Sequence, residues 1–230
     1  TRWKVNELLD KFGVAPEKVV YWPNGTDVRE FEMKSAKNMI REGLSIPPDK
    51  KIVMYTGQLF EWKGVDSLIK SIRMLPQSVL IYIVGGADSD VVRCKKGIRE
   101  ANDERVIFIP FQPHEKISEW LHCADVLVLP NTGTQKVSLY YTSPMKLFEY
   151  MAAGKPIVAS AIPSIMEILN NENAVLVEPD NPEGLASGIK LILSDHNLSE
   201  QIAKNARIDS QKYTWHSRAR KIIDYFEKYA

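Results

Sequence analysis

A doubly wound α/β domain built on a parallel sheet is the fold this sequence predicts. Three observations carry it. From Lys51 onward, short strand-length apolar runs alternate with segments of helical period. The runs are continuously apolar, as strands covered on both faces are. Each run is separated from the next by a helix, the pattern of a parallel sheet. At 230 residues the chain can bury a sizeable core without staples, as one large domain or as one domain with a piece of another.

The elements follow in order. "KIVMYTG" (51–57) reads as the first strand and about 65–74 as a helix. Next come "VLIYIVGG" (79–86), a helix through "VVRCKKGIREA", the strand "RVIFIPF" (105–111) and the helix "HEKISEWLHCA" (114–124). "DVLVLP" (125–130), a helix opening at Ser143, "PIVAS" (156–160), a short helix over 164–169, "AVLVE" (174–178) and a helix over 182–193 complete the alternation. Ahead of it, a helix to Phe12, a strand "KVVYWP" and a turn "NGTD" (24–27) read as the tail of a preceding domain, 1–27, joined by a polar linker, 28–49, to the sheet domain, 50–194. Two amphipathic helices, 195–230, are surplus to a six-strand sheet and are expected to pack across a second domain. The chain lacks an initiating Met and begins inside a helix, so a fragment of a longer protein is expected.

Composition narrows the function. Lys plus Arg is 30 and Asp plus Glu 29, so no nucleic-acid or polyanion partner is expected, and only local charge matters. Cys94 and Cys123 lie far apart without metal-ligand spacing, which predicts buried thiols. The apolar runs fall well short of the roughly 20 residues that cross a bilayer. The start has no secretory-signal layout.

In an open parallel sheet, ligands sit beyond the carboxyl ends of the strands. "SPMKLFEYMAAGKPIVAS" (143–160) opens there, with Ser143 as an expected N-cap and Pro144 as first helical residue. The amides of Met145, Lys146 and Leu147 would then point outward without partners and, with the helix dipole, form an anion site. Lys146 stands where a capping box would place Glu or Gln. An uncompensated cation there costs about 0.3–1 kcal/mol, and the sign reverses once a phosphate lies between amides and ammonium. Leu147, Phe148, Met151 and Ala152 share the core face; Lys146, Glu149 and Ala153 share the other. A surface ion pair between Lys146 and Glu149 is the competing reading.

Three more loops matter. In "GQLFEWKG" (57–64), Gly57 lets the loop approach a ligand closely, and Lys63 precedes the next helix. In "VGGADSD", Gly85 and Gly86 follow a strand without the spacing of Gly-x-Gly-x-x-Gly, which disfavours a nicotinamide dehydrogenase. Its Asp88–Asp90 pair is either an Asp-x-Asp cation ligand or, as its position suggests, a helix start capped by Asp88 or Ser89. Ile109, Pro110 and Phe111 could flank a flat base, or simply lead a strand into a helix.

In the order in which they occur, "PNGTD", the strand-glycine loop ending in Lys-Gly, the Gly-Gly loop, "RVIFIPF", "ADVLVLP" and "SPMKLFEYMAAGKPIVAS" resemble the donor-binding C-terminal domain of retaining GT-B glycosyltransferases, the "glycosyl transferases group 1" family. The resemblance implies a Rossmann-like six-strand sheet forming half of a GT-B fold. It implies transfer of a sugar from a nucleoside-diphosphate sugar, UDP- or GDP-linked, to a glycan or lipid-linked acceptor, with no metal or other cofactor required. Lys63 and the turn from Met145 to Leu147, beside Gly57, Gln58, Gly85 and Gly86, would hold the phosphates; Glu149 would bind the ribose hydroxyls. Lys63 and Glu149 would be the groups closest to the chemistry. The base would rest near Ile109, Pro110 and Phe111.

The sequence departs from the family in two places. Gln58 stands where an arginine is frequent, shifting phosphate neutralisation to Lys63 and Lys146. Tyr141 stands where the first glutamate of the family's E-x7-E motif would contact the transferred sugar. The resemblance also implies an N-terminal acceptor domain carrying the catalytic histidine; His114, His122, His196 and His216 match no such motif and read as surface or helix residues. A cytoplasmic protein is expected, with peripheral contact to the inner membrane face through that other domain. A nucleotide-sugar epimerase of related fold and a non-catalytic nucleotide-binding module are the rival readings.

Overall fold

The computed structural model describes the backbone of residues 1–101 and 103–229 and the side chains of 1–95 and 103–228. Two helices precede the sheet, α1 (Arg2–Phe12) and α2 (Lys37–Gly43). Alternation then begins: β1 (Lys51–Thr56), α3 (Val65–Ser71), β2 (Val79–Val84), α4 (Asp88–Ala101), β3 (Val106–Ile109) and α5 (His114–Cys123). It continues with β4 (Val126–Leu129), α6 (Met145–Ala152), β5 (Ile157–Ser160), α7 (Pro163–Met166), β6 (Val175–Val177) and α8 (Pro182–Ser194), before α9 (His196–Ser210) and α10 (Trp215–Tyr229).

All six strands pair in parallel, in the order β3-β2-β1-β4-β5-β6. Both faces are covered, which is why the runs read as continuously apolar. Ile52 and Met54 of β1 pack toward Trp120, Leu121, Phe148 and Met151 of α5 and α6. Val53 and Tyr55 face the opposite layer, with Leu68 and Ile69 of α3 and Leu185 and Ile189 of α8. Connections run outward in opposite directions from β1 and β4. The loops leaving those two strands therefore part and leave a crevice at the carboxyl edge.

The expected strand over 18–23 does not form. A short 3-10 turn, Pro16–Lys18, is followed by extended chain that pairs only at an isolated bridge, Thr26 to Thr214. Strand propensity there is satisfied by packing instead, with Trp22 edge-on to Tyr225 at 5.7 Å. The segment 28–49, expected as a linker, lies packed on the sheet domain: Val28, Phe31 and Ile46 are buried in its core. The helices after Ser194 form as expected, with Asp195 capping α9 by accepting from the Leu198 amide at 2.9 Å. Ala230 lies outside the described residues. Both cysteines are buried free thiols.

One polar knot ties 28–49 to the sheet. Asp125, just ahead of β4, accepts from the Ile52 amide at 2.7 Å, from Lys37 at 2.6 Å and from Arg41 at 2.8 Å. Arg41 is buried and also donates to the Cys123 and Lys50 carbonyls. Burial alone would raise the Asp125 carboxyl; the Lys37 hydrogen bond, the Ile52 amide and the charges of Lys37 and Arg41 outweigh it and hold the group below the ordinary carboxylate range. Removing one partner of such a knot leaves Arg41 buried without its counter-ion. Asp125→Ala is expected to cost about 3 kcal/mol in denaturant unfolding. Because the folded value is the lower one, the contribution is complete above the unfolded value near 3.8 and is lost as pH falls through the folded value, so the variant's acid limb should be flatter than wild type's.

Candidate functional site

The crevice is shaped by glycines at the ends of β1 and β2. Gly57 and Gly85 both have φ of 107°, a region that L side chains avoid. The Gly57 amide donates to the Val84 carbonyl at 2.8 Å, and a Cβ on Gly85 would stand 3.0 Å from the Gly57 carbonyl oxygen. The two loops thus lie against each other as the floor of a cavity of about 580 Å³. Gly57, Gln58, Lys63, Gly85, Gly86, Phe111, Ser143, Met145, Lys146 and Glu149 line it. Of the other expected residues, Leu147 is buried in the core under α6, Ile109 packs at the end of β3, Pro110 is exposed beside it, and Tyr141 lies elsewhere.

The helix that opens onto the cavity differs in detail from its sequence reading. Pro144, not Ser143, flanks its first residue, Met145, and no side chain caps it. Ser143 is engaged by Asn24 instead, whose side-chain amide donates to the Ser143 carbonyl at 2.8 Å. The Leu147 amide donates to the Pro144 carbonyl at 3.1 Å, the tightened first turn that relieves unpaired amides. The amides of Met145 and Lys146 make no hydrogen bond among the described residues. Two amides, rather than the expected three, are left without a partner at the helix start.

Lys146 does not run out to solvent. The residue is half-buried but its ammonium is wholly so, without a hydrogen-bond partner, 3.6 Å from the centre of the Tyr55 ring. A Cβ on Gly57 would approach that nitrogen to 3.0 Å, so the glycine makes room for it. The surface ion pair with Glu149 does not form. Burial drives the Lys146 ammonium well below the usual lysine range, the Lys63 charge adds to this, and Glu149 opposes it. Lys63, 9% exposed, stands 3.7 Å over the Trp62 ring, and burial lowers its pKa to about 8.

Glu149 is 8% exposed, so the polar face of α6 is a cavity wall and not a solvated one. Burial raises its carboxyl above the usual range, against the charges of His114 and Lys146 and with that of Glu30. His114 opens α5, as a helix residue, and lines the same cavity with its Nε2 3.3 Å from Glu30 Oε2. Asn24, Trp62, Gln112 and His114 are cavity residues that sequence reasoning passed over, and Thr142, last of the hydroxyl-bearing stretch "VSLYYT" that could stand in for the missing glutamate, lines it too. Only His114 carried a readable signal, following Pro113 in the loop that leaves β3. Phe111, 71% exposed, stands at the outer lip. Tyr141 ends a π-helical turn, Val137–Tyr141, whose Tyr140 meets Trp3 of α1 at 4.4 Å. Asp88 and Asp90 sit within the first turn of α4, after Ala87, and do not reach the cavity. Among the described residues no group of three His, Cys, Asp or Glu side chains is placed to hold a metal ion.

Residues 36–209 match the family model described as glycosyl transferases group 1. The chain belongs to that family. An uncharacterized glycosyltransferase of Methanocaldococcus jannaschii is 28% identical over 232 residues, covering 96% of this chain and 57% of that protein. Among solved structures, sucrose-phosphate synthase of Thermosynechococcus elongatus superposes with a TM-score of 0.83 at 26% identity, over 99% of this chain and 56% of its own. Anabaena HepE, solved with UDP and glucose, superposes at 0.79 and 26% identity, over 94% of this chain and 59% of its own. The group 1 chain described here therefore spans a little over half the length of these relatives. No helix among its described residues is long and apolar enough to cross a membrane.

The state of Lys63 can be measured directly. Its folded value near 8 lies below the ordinary 10.5, so between those pH values the unfolded chain holds more protons and stability rises with pH. Melting of the ligand-free protein from pH 8 to pH 10 should carry this upward component beside those of Lys146 and Lys155, which burial also lowers, and Lys63→Met should show a smaller rise than wild type.

Proposed function

We propose that the chain is the donor-binding half of a retaining glycosyltransferase that takes a nucleoside-diphosphate sugar, with UDP the foremost nucleotide. The observation that carries this reading is that two lysines, Lys63 and Lys146, line one cavity with the start of α6 and its two free amides, without any carboxylate bonded to their amino groups. Such a site is electrostatically incomplete until an anion enters. A diphosphate would lie between the amides and the two lysines, and its charge would favour the protonated form that burial disfavours. Glu149, one turn further along α6, is positioned to accept from ribose hydroxyls. The base would lie toward Phe111 at the lip. The UDP and glucose held by Anabaena HepE support this choice of ligand.

In sugar transfer, the developing charge is on the departing diphosphate, and fixed cations in a water-poor cavity stabilise it without reorganisation. That role falls to Lys63 and Lys146, and the reading needs no metal. The acceptor, a glycan or lipid-linked sugar, would be brought by an N-terminal domain that these residues do not include, along with any contact to a membrane surface. Residues 1–230 by themselves are therefore expected to bind donor and transfer nothing.

Thermal melting with UDP, GDP and ADP tests the reading: a diphosphate at 100 times its Kd adds about 2.7 kcal/mol, and no response to any of the three would refute it. Lys63→Ala should weaken all three diphosphates. Glu149→Gln should erase most of the preference for UDP over 2′-deoxy-UDP, on the order of tenfold for a hydrogen bond to a charged group.

A further inference from the structure

The two cavity lysines share an arrangement that their role as anion ligands does not require. Each ammonium rests on the face of an aromatic ring, Lys146 on Tyr55 at 3.6 Å and Lys63 on Trp62 at 3.7 Å. Neither hydrogen-bonds or ion-pairs with a described side chain, although Glu149 lines the same cavity. The rings are themselves fixed. The Tyr55 hydroxyl donates to the Gln58 carbonyl at 2.6 Å, and Trp62 lies nearly parallel to Phe60, 23° between planes and 6.1 Å between centres. The Trp62 carbonyl accepts from the Thr132 amide at 3.2 Å, tying the turn to the loop after β4.

We propose that Tyr55 and Trp62 are positioning residues, whose ring faces hold the two ammonium groups in place while leaving their charge unneutralised for a diphosphate. A carboxylate could also fix a lysine, but it would compete with the phosphate for the same charge. The negative face of a ring attracts the cation more weakly and without a formal charge, so the electrostatic demand stays unmet until the ligand arrives. Both rings belong to β1 and the turn after it, so one connection sets the direction of both cations. The inference rests on the diphosphate reading and goes further by assigning to two ring faces, one of them on the cavity wall, the placing of both lysines.

The groups that face these cations are few. Lys146 is influenced by Lys63 and Glu149, and Glu149 in turn by His114 and Glu30. A ring under an ammonium favours its charged form, so removing the ring should lower the pH at which the lysine loses its proton.

The test is isothermal titration of UDP into residues 1–230 from pH 6.5 to 9.5, with Trp62→Leu and Trp62→Phe beside the wild type. Trp62 is only partly buried, so these variants should keep the fold, which melting will verify. Trp62→Leu is expected to bind roughly tenfold more weakly at pH 7.5, with its alkaline loss of affinity displaced to lower pH. Trp62→Phe should recover most of both. Tyr55→Phe should likewise retain most of the affinity that Tyr55→Leu loses. Wild-type affinity and an unmoved alkaline midpoint in Trp62→Leu would overturn the proposal, as would a Trp62→Phe variant no better than the leucine. Failure of the underlying reading looks different: UDP, GDP and ADP would all fail to bind wild type, or Lys63→Ala and Lys146→Ala would bind UDP undiminished.

Discussion

The buried ammonium of Lys146 beside Gly57 is the contact on which the crevice depends. It sets what may stand at the end of β1, because any side chain at position 57 would crowd the nitrogen as well as force an unfavourable φ. Glu149 stands one turn deeper along α6 on the same cavity wall. An apolar residue in place of Lys146 would be better housed in an empty protein. Burying the Lys146 amino group without a hydrogen-bond partner is a cost to the folded state that the Tyr55 ring offsets only in part.

Much of the fold was legible because a parallel sheet covered on both sides leaves a local record: continuous apolar runs, each followed by a helical segment. The strand over 18–23 was misread for the complementary reason. Val19, Val20 and Tyr21 have strand-forming side chains, but a strand also needs a partner, and the neighbouring chain offers one bridge at Thr26. The polar look of 28–49 hid its packing, since Phe31 and Arg41 are single residues whose burial is decided by Asp125 and His122 far along the chain.

The crevice was legible as a set of loops and illegible as a set of contacts. Glycines after strands and a lysine before a helix can be seen in sequence; the ring beneath each ammonium cannot, because Tyr55 reads as core and Trp62 as an ordinary turn residue. Ser143 shows the same limit. Its sequence setting is that of an N-cap, yet Asn24, more than a hundred positions away, claims it and leaves the helix start uncapped. His114 was assigned to a helix and is on one, but the side of the helix it occupies is fixed by Glu30 and the cavity wall. Tyr141 marks where likeness to the group 1 pattern thins, for the structure sets it beside α1 and not in the cavity.

Asn24 has a second engagement that links the two ends of the chain to the crevice. Its Oδ1 accepts from Arg218 of α10 at 2.6 Å while its amide holds the Ser143 carbonyl, and Gly25 beside it lies so close to the Tyr213 carbonyl that a Cβ would fall 2.6 Å away. The last helix is thus buckled through the opening segment onto the rim where α6 begins. Arg218, Asn24 and Ser143 thus form an unbroken polar path from α10 to the cavity rim, so the opening segment and the last helix brace the crevice together.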